Sequence, residues 1–410
     1  AANNYEYVVQ PLPIDHFSTR FISDTEVKLS WQPVNDPLEP TAKPDSYLVY
    51  TRIEDGGFDN GVLANAASFT KKIEKNKIYS FKVEAVNKGG KSFPSEILSV
   101  YKASNNNPTV LIVNAFNRIS APESFMIGND VAGFNENFDA GVPYLSDISY
   151  TGKQTEFRRY RPYVNDDNVG FGASNKDFDS KEIAGNTFDY PYVHGRAIKA
   201  AGFSFVSTSE KSVLNASVKL HEYKIVNLIL GKERQRFNPL DSTKKDFKTF
   251  EPKMRKAITQ LTDSGGNILL SGSNIVSDLV LADNSTSLEK HFIENTLKIK
   301  WIADKINNIN RVSFRVSPLK EYPENMEFSF YSHPNEKSYF VEAPDIILPA
   351  DFNAFKICEY EQNNSSAGIG YKGKYGVCAF GFPIETIQEE KCRIDLMKSV
   401  LTFFTKHKEK

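Results

Sequence analysis

The chain has 410 residues, 40% of them apolar, with 50 Lys and Arg against 51 Asp and Glu, a formal net charge of −1. That length bounds it to two or three domains with at least one full core, and near-neutrality excludes the electrostatic footprint of a nucleic-acid or anionic-membrane binder. Three cysteines, Cys358, Cys378 and Cys392, are too few and odd in number for a disulfide framework, and no apolar run reaches the roughly 20 residues of a membrane span.

The first residues, Ala1-Ala2-Asn3-Asn4, carry neither the charged nor the apolar region of a signal peptide. A mature exported protein, or a piece of a longer chain with an upstream domain, fits this start. Aromatic residues make up 12% of the chain, a surface that suits carbohydrate contact and equally a plain β-rich protein.

Residues 1–103 read as a small β-sandwich, with short alternating strands and turn signals but no helical period. Val27-Lys28-Leu29-Ser30-Trp31 alternates apolar and polar and ends in an aromatic that can plug a two-sheet core. Tyr47 to Arg52 is the next strand. Residues 78–87 are the strongest, with Tyr79, Phe81, Val83 and Ala85 on one face and Lys82 and Glu84 on the other. Gly89-Gly90 supplies the turn into Ser92-Phe93-Pro94-Ser95-Glu96. On Trp31, Tyr47 to Tyr50, the Tyr79-x-Phe81-x-Val83-x-Ala85-Val86-Asn87 run and Gly89-Gly90, this segment resembles a fibronectin type III domain. The resemblance implies that Tyr79 is the corner tyrosine and that the module is a spacer or adhesive unit.

Ser104-Asn105-Asn106-Asn107-Pro108 is a polar linker, and 108–410 reads as the second domain. Residues 109–116 are a continuous apolar run, the signature of a strand buried on both faces of a parallel sheet. An Asp- and Tyr-rich insertion follows at 117–191, expected to lie over the carboxyl edge of that sheet. Residues 194–201 read as a short helix stopped by Gly202, 203–208 and 223–231 as buried strands, and 250–261 as an amphipathic helix. Gly265-Gly266 then opens a strand, a polar Ser271-Gly272-Ser273-Asn274 turn and a helix start. Beyond it, 288–297 reads as a helix and 311–316, 327–332, 338–342 and 354–359 as peripheral strands. Residues 375–383 form a last core strand and 389–404 a closing helix. Strands alternating with helices imply a doubly wound, flavodoxin-like α/β sheet, making the whole chain a multidomain β plus α/β protein.

The N-terminal buried strand, the Gly-Gly strand with its polar turn and the closing Gly381-Phe382-Pro383 strand with its helix resemble the class I glutamine amidotransferase-like group. That group places a nucleophilic cysteine at the strand-to-helix turn, where this chain has serines, so amidotransferase activity is not carried over. The pairing of the two domains, with Asn165-Asp166-Asp167-Asn168-x-Gly170-x-Gly172, Gly185-Asn186-Thr187-Phe188-Asp189-Tyr190-Pro191 and His194-Gly195, is similar to secreted Bacteroidetes proteins named xanthan lyase or N-acetylmuramoyl-L-alanine amidase related. The resemblance implies export to the periplasm, cell surface or medium and a polysaccharide or peptidoglycan-type substrate.

In an α/β sheet, ligands bind outside the carboxyl ends of the strands, which directs attention to the Ser271–Asn274 turn. Ser271 or Ser273 could be a nucleophile with His194 as base and Asp189 or Asp278 as orienter. Alternatively these serines and Asn274 cap the following helix. A lyase would use a Tyr or His base, with Arg196 or Arg161 neutralising a substrate carboxylate. The catalytic candidates are therefore His194, Ser271 and Asp189, and the substrate-binding candidates are Ser273, Asn274, Tyr190, Tyr192, Arg196 and Arg161. Asp166, Asp167, Asp177, Asp179 and Asp189 form an acidic insertion that could bind calcium, but Asp177-x-Asp179-x-Lys181 breaks the calcium-loop spacing at the third ligand, so neither metal nor cofactor is expected. Two functions follow: a glycan hydrolase or lyase working at the carboxyl edge of the sheet, or a non-catalytic glycan- or protein-binding module that lost an amidotransferase-type nucleophile.

Overall fold

A computed structural model describes residues 7–135, 139–142, 154–173, 189–238, 241–280, 286–301, 309–314 and 326–406. The alternating segments at the start form β1 (Asp15–Ser23), β2 (Glu26–Gln32), β3 (Ser46–Ile53), β4 (Val62–Ala64), β5 (Ser68–Lys72), β6 (Ile78–Asn87), β7 (Gly90–Lys91) and β8 (Leu98–Tyr101). Strands β1, β2 and β5 pair in one sheet. Strands β4, β3, β6 and β8 pair in the facing sheet. Trp31 and Tyr47 meet edge to face between the sheets, with ring centroids 5.2 Å apart. The Tyr79 hydroxyl accepts a bond from the Glu74 N–H at 3.1 Å, which closes the corner before β6.

After the linker come β9 (Val110–Asn114), the hairpin β10 (Glu123–Ile127) and β11 (Val131–Asn135), α1 (Tyr190–Ala200), β12 (Phe205–Ser209), α2 (Glu210–Leu214) and β13 (Ile225–Gly231). Next are β14 (Arg236–Asn238), β15 (Asp241–Asp246), α3 (Pro252–Asp263), β16 (Asn267–Gly272), α4 (Ser277–Val280) and α5 (Ser287–His291). The chain ends with β17 (Ile299–Trp301), β18 (Arg311–Ser313), β19 (Glu327–Ser329), β20 (Ile347–Pro349), β21 (Ala354–Tyr360), β22 (Ser365–Lys372), β23 (Gly376–Phe380) and α6 (Glu390–Thr405).

Parallel pairings set the spatial order β12-β9-β13-β16-β23, and β22, β21, β18 and β19 extend it antiparallel. Both faces of β9 are buried because successive residues point to opposite sides. Leu111 and Val113 join the core containing Met254 and Ile258 of α3, while Val110 and Ile112 join the core containing Ile198 of α1 and Leu396 of α6. Gly195 lets α1 lie close on the sheet, since a Cβ there would stand 2.3 Å from the Phe205 ring.

Strand β12 is where the two halves meet. It pairs antiparallel with β8 and with β1, one strand from each sheet of the sandwich. Ser207 fastens both: its Oγ donates to the Ser99 carbonyl at 2.7 Å and accepts from the Ser99 N–H at 2.8 Å. On the other side the Ser207 N–H donates to Thr19 Oγ1 at 2.9 Å, and that hydroxyl donates back to the Ser207 carbonyl at 2.8 Å. The β1 edge of one sheet and the β8 edge of the other are thereby covered.

Several elements differ from their sequence-based expectation. Helix α1 begins at Tyr190 rather than 194, because Pro191 lies in its first turn, where no intrahelical N–H is required. Residues 338–342 are irregular, and 288–297 is a short helix followed by a π turn. Strand β22 is unexpected because Gly368 and Gly370 dilute its pattern. Glycine is needed there: a Cβ at Gly368 would stand 2.8 Å from Phe380 and one at Gly370 2.7 Å from Phe355.

Candidate functional site

In this strand order the topological switch point lies between β9 and β13, where their carboxyl ends diverge toward different connections. The loops leaving those two strands carry a dense set of buried charges. Arg118, fully buried, donates from Nη2 to both Asp139 oxygens at 2.8 and 2.7 Å. Arg236 also donates to Asp139, and Lys232 Nζ sits 2.9 Å from Glu342. Burial alone would raise the Asp139 carboxyl, but Arg118, Lys232 and Arg236 outweigh it and hold the group well below the ordinary carboxylate range.

Two neighbouring carboxyls behave in the opposite way. Glu233 accepts from the backbone N–H groups of Asn117 and Arg118 at 2.9 and 3.1 Å, and Glu210 Oε2 accepts from Asn117 Nδ2 at 3.0 Å. Asn117 therefore bridges both acids. Burial, then the charge of Glu251, pushes Glu210 up to about 8. Burial and the neighbouring Glu210 raise Glu233 well above its ordinary value. Glu96, which accepts from Asn114 Nδ2 at 2.6 Å, is raised to about 8 by burial. Burial thus favours the protonated form of all three acids, and Glu210 Oε1 has no hydrogen-bond partner among the described residues.

The residues singled out by sequence are dispersed. His194 lies inside α1, 1% exposed, with Asn227 Nδ2 donating to Nδ1 at 2.9 Å and Nε2 3.0 Å from Glu385 Oε2. This arrangement assigns the ring proton to Nε2. The Tyr339 hydroxyl donates to the other Glu385 oxygen at 2.7 Å. The hydrogen bonds of His194 thus go to Glu385 and Asn227, not to Ser271 or Asp189. Ser271 is buried at the end of β16, and its hydroxyl has no partner among the described residues. Ser273 Oγ reaches the Gly231 carbonyl at 3.4 Å, and Asn274 Nδ2 donates to Ser273 Oγ at 3.1 Å. It is Asp345, not a serine, that accepts from the Val276 and Ser277 N–H groups where α4 starts. Asp278 accepts from the Gln235 and Thr249 N–H groups, both at 2.9 Å.

Asp189 is drawn to the sandwich, where Arg52 grips both its oxygens at 2.8 and 2.9 Å. The same guanidinium lies over the Tyr192 ring at 4.4 Å. Tyr190 is buried, stacked on Phe116 at 5.4 Å. Arg196 pairs with Glu390 at 2.7 Å and, with Tyr192 and Lys199, lines a groove of about 270 Å³ between the sandwich and α1. Arg161 lies in the insertion, its guanidinium 5.8 Å from the Tyr160 ring centroid. Asp166 and Asp167 sit in an exposed turn in which Asn165 Oδ1 accepts from Asp167 and Asn168 N–H groups. Asp177, Asp179 and residues 185–188 lie outside the described residues.

The charged cluster at the switch point has no sequence motif. Its one local signal is Lys232-Glu233-Arg234-Gln235-Arg236, a charged run directly after the apolar strand β13.

Residues 12–101 match the family model of the fibronectin type III domain. The similar solved structures include the twitchin kinase region from C. elegans, 27% identical, covering 23% of this chain and 17% of that one with a TM-score of 0.21. Titin domains A168–A170 are 24% identical over 22% of this chain and 30% of that one, with a TM-score of 0.20. A human FNIII domain is 18% identical over 27% of this chain and 92% of that one, with a TM-score of 0.23. No curated protein matches the chain.

Proposed function

We propose that this chain is an exported, non-catalytic binding module directed at glycan or cell-envelope material, in which the fibronectin type III sandwich is fused to a flavodoxin-like α/β unit. The carrying observation is the environment of His194. A general base must present a free ring nitrogen to its nucleophile, but Asn227 and Glu385 occupy both nitrogens of a ring that is 1% exposed. The strand order β12-β9-β13-β16-β23, with helices on both faces, supports the flavodoxin-like reading.

A second reading, a glycan hydrolase or lyase at the carboxyl edge, is favoured by a different observation. Two buried acids, Glu210 at the start of α2 and Glu233 just after β13, and the Ser271 hydroxyl, which has no partner among the described residues, lie at that edge. One screen separates the two. Glycans and muropeptides are presented to wild type, Ser271→Ala and Glu210→Gln, and both binding and product release are followed. Binding without turnover in all three is expected. Turnover by wild type that disappears in either variant overturns the binding-module reading in favour of the enzyme.

A further inference from the structure

The solvent face of β1 and β2 carries an unbalanced charge pair. In an antiparallel ladder, like charges directly opposite each other destabilise the pairing. Arg20 nevertheless stands directly opposite Lys28, and one step along the same face Ser18 stands opposite Ser30. Neither cation has an ion-pair partner among the described residues.

This face does not open onto bulk solvent alone. The segment that follows α2 in the α/β unit folds over it, enclosing with the two strands a cleft of about 290 Å³. Tyr223 forms the wall on that side, with its ring partly packed on the core. Arg20 and Glu222 line the same cleft as Tyr223. Burial raises the Tyr223 phenol, Glu222 raises it further and Arg20 opposes them. At the end of the row His16 has φ of 53°, a left-handed conformation uncommon outside glycine, and Asp15 accepts its N–H at 2.8 Å. The strand bends there, and His16 contributes to the cleft lining.

We propose that this cleft binds a carboxylate-bearing saccharide unit of a longer chain. The inference rests on the glycan-binding reading above and gives it a site and a ligand class. Arg20 and Lys28 take the carboxylate, Tyr223 offers an apolar wall to a sugar ring, and Ser18, Ser30 and Glu222 take ring hydroxyls. The volume lies at the lower end for ligand clefts, which suits one unit of a polymer. A nucleic-acid strand fits less well. Its affinity grows with the number of phosphates neutralised, and here two cations face one acid in a chain of net charge −1.

The test measures binding of an oligogalacturonate and of its fully methyl-esterified form, which has the same backbone without the charges. Wild type should bind the acid form, more weakly as salt rises, and should bind the ester at least about tenfold less tightly. Arg20→Ala and Tyr223→Ala should each weaken binding about tenfold. Lys28→Glu should abolish binding while leaving the Tm unchanged or higher, because it turns a like-charged cross-strand pair into an opposite one. Equal affinity for acid and ester, unchanged binding in the Arg20 and Lys28 variants, or tighter binding of a single-stranded DNA of equal charge would each overturn the assignment. Binding of neutral glycans alone refutes this site and leaves the binding-module reading standing. Binding of no glycan at all refutes both.

Discussion

The seam at β12 and the switch point at the carboxyl ends of β9 and β13 are both built from buried polar groups, but with opposite chemistry. At the seam, Thr19, Ser99 and Ser207 satisfy one another and the backbone with neutral hydroxyls. At the switch point, Arg118, Asp139 and Lys232 are ionic, while Glu210 and Glu233 are buried acids whose protonated forms burial favours. A neutral hydrogen-bonded seam loses no proton between acid and alkali. An ionic cluster in a low-dielectric site is sensitive both to the loss of one member and to pH.

The largest expected effect comes from breaking the ionic side. Asp139→Asn strips the counter-charge from Arg118, Lys232 and Arg236 together and should lower stability by roughly 3–5 kcal/mol, read from urea unfolding. A loss below about 1 kcal/mol would show that water already screens the cluster.

The pH dependence comes next. Glu210 is raised from 4.5 to about 8, so the folded state binds its proton more tightly than the unfolded chain does. Its stabilisation is complete below about 4.5 and is lost as pH rises through about 8, an effect of up to ~4–5 kcal/mol. Asp139 is lowered, so its contribution is present above its ordinary value of 3.8 and is lost as pH falls below that. Stability should therefore peak in mild acid, and Glu210→Gln should flatten the alkaline limb. An unchanged limb in that variant would assign the slope to other groups.

The smallest effect belongs to the seam. Ser207→Ala leaves the Ser99 N–H and carbonyl without this partner, for a loss of about 1–3 kcal/mol that is the same at pH 5 and pH 8. A pH-dependent loss would mean that the seam is electrostatically coupled to the acids and that the contrast between the two regions is false.

Particular residues show how far the sequence could be read. Strand β6 was legible because Tyr79, Phe81, Val83 and Ala85 alternate with polar residues and face the sandwich core, although Ile78 and Ser80 on its other face are buried as well. Strands β9 and β13 were legible as apolar runs, because a central parallel strand is covered on both sides. Helix α1 was legible only in its second half. The expected helix starts at His194, and the four residues from Tyr190 that it misses move His194 from a helix start to the buried interior of α1.

The chemistry of the candidate sites was less accessible, since it depends on partners far apart in the chain. His194 meets Glu385 across 191 positions, Arg118 and Lys232 converge on Asp139, and Arg52 of the sandwich takes the aspartate that looked like an orienter for His194. Local periodicity determined which segments became strands and helices and marked residues 1–103 as a small β-sandwich, of which 12–101 match the fibronectin type III model, because burial of one or two faces is written into side-chain spacing. Only the tertiary structure decided which polar groups are spent on one another and which stay available. A buried donor or acceptor takes whatever partner the packed elements bring within about 3 Å, and no local pattern encodes that meeting.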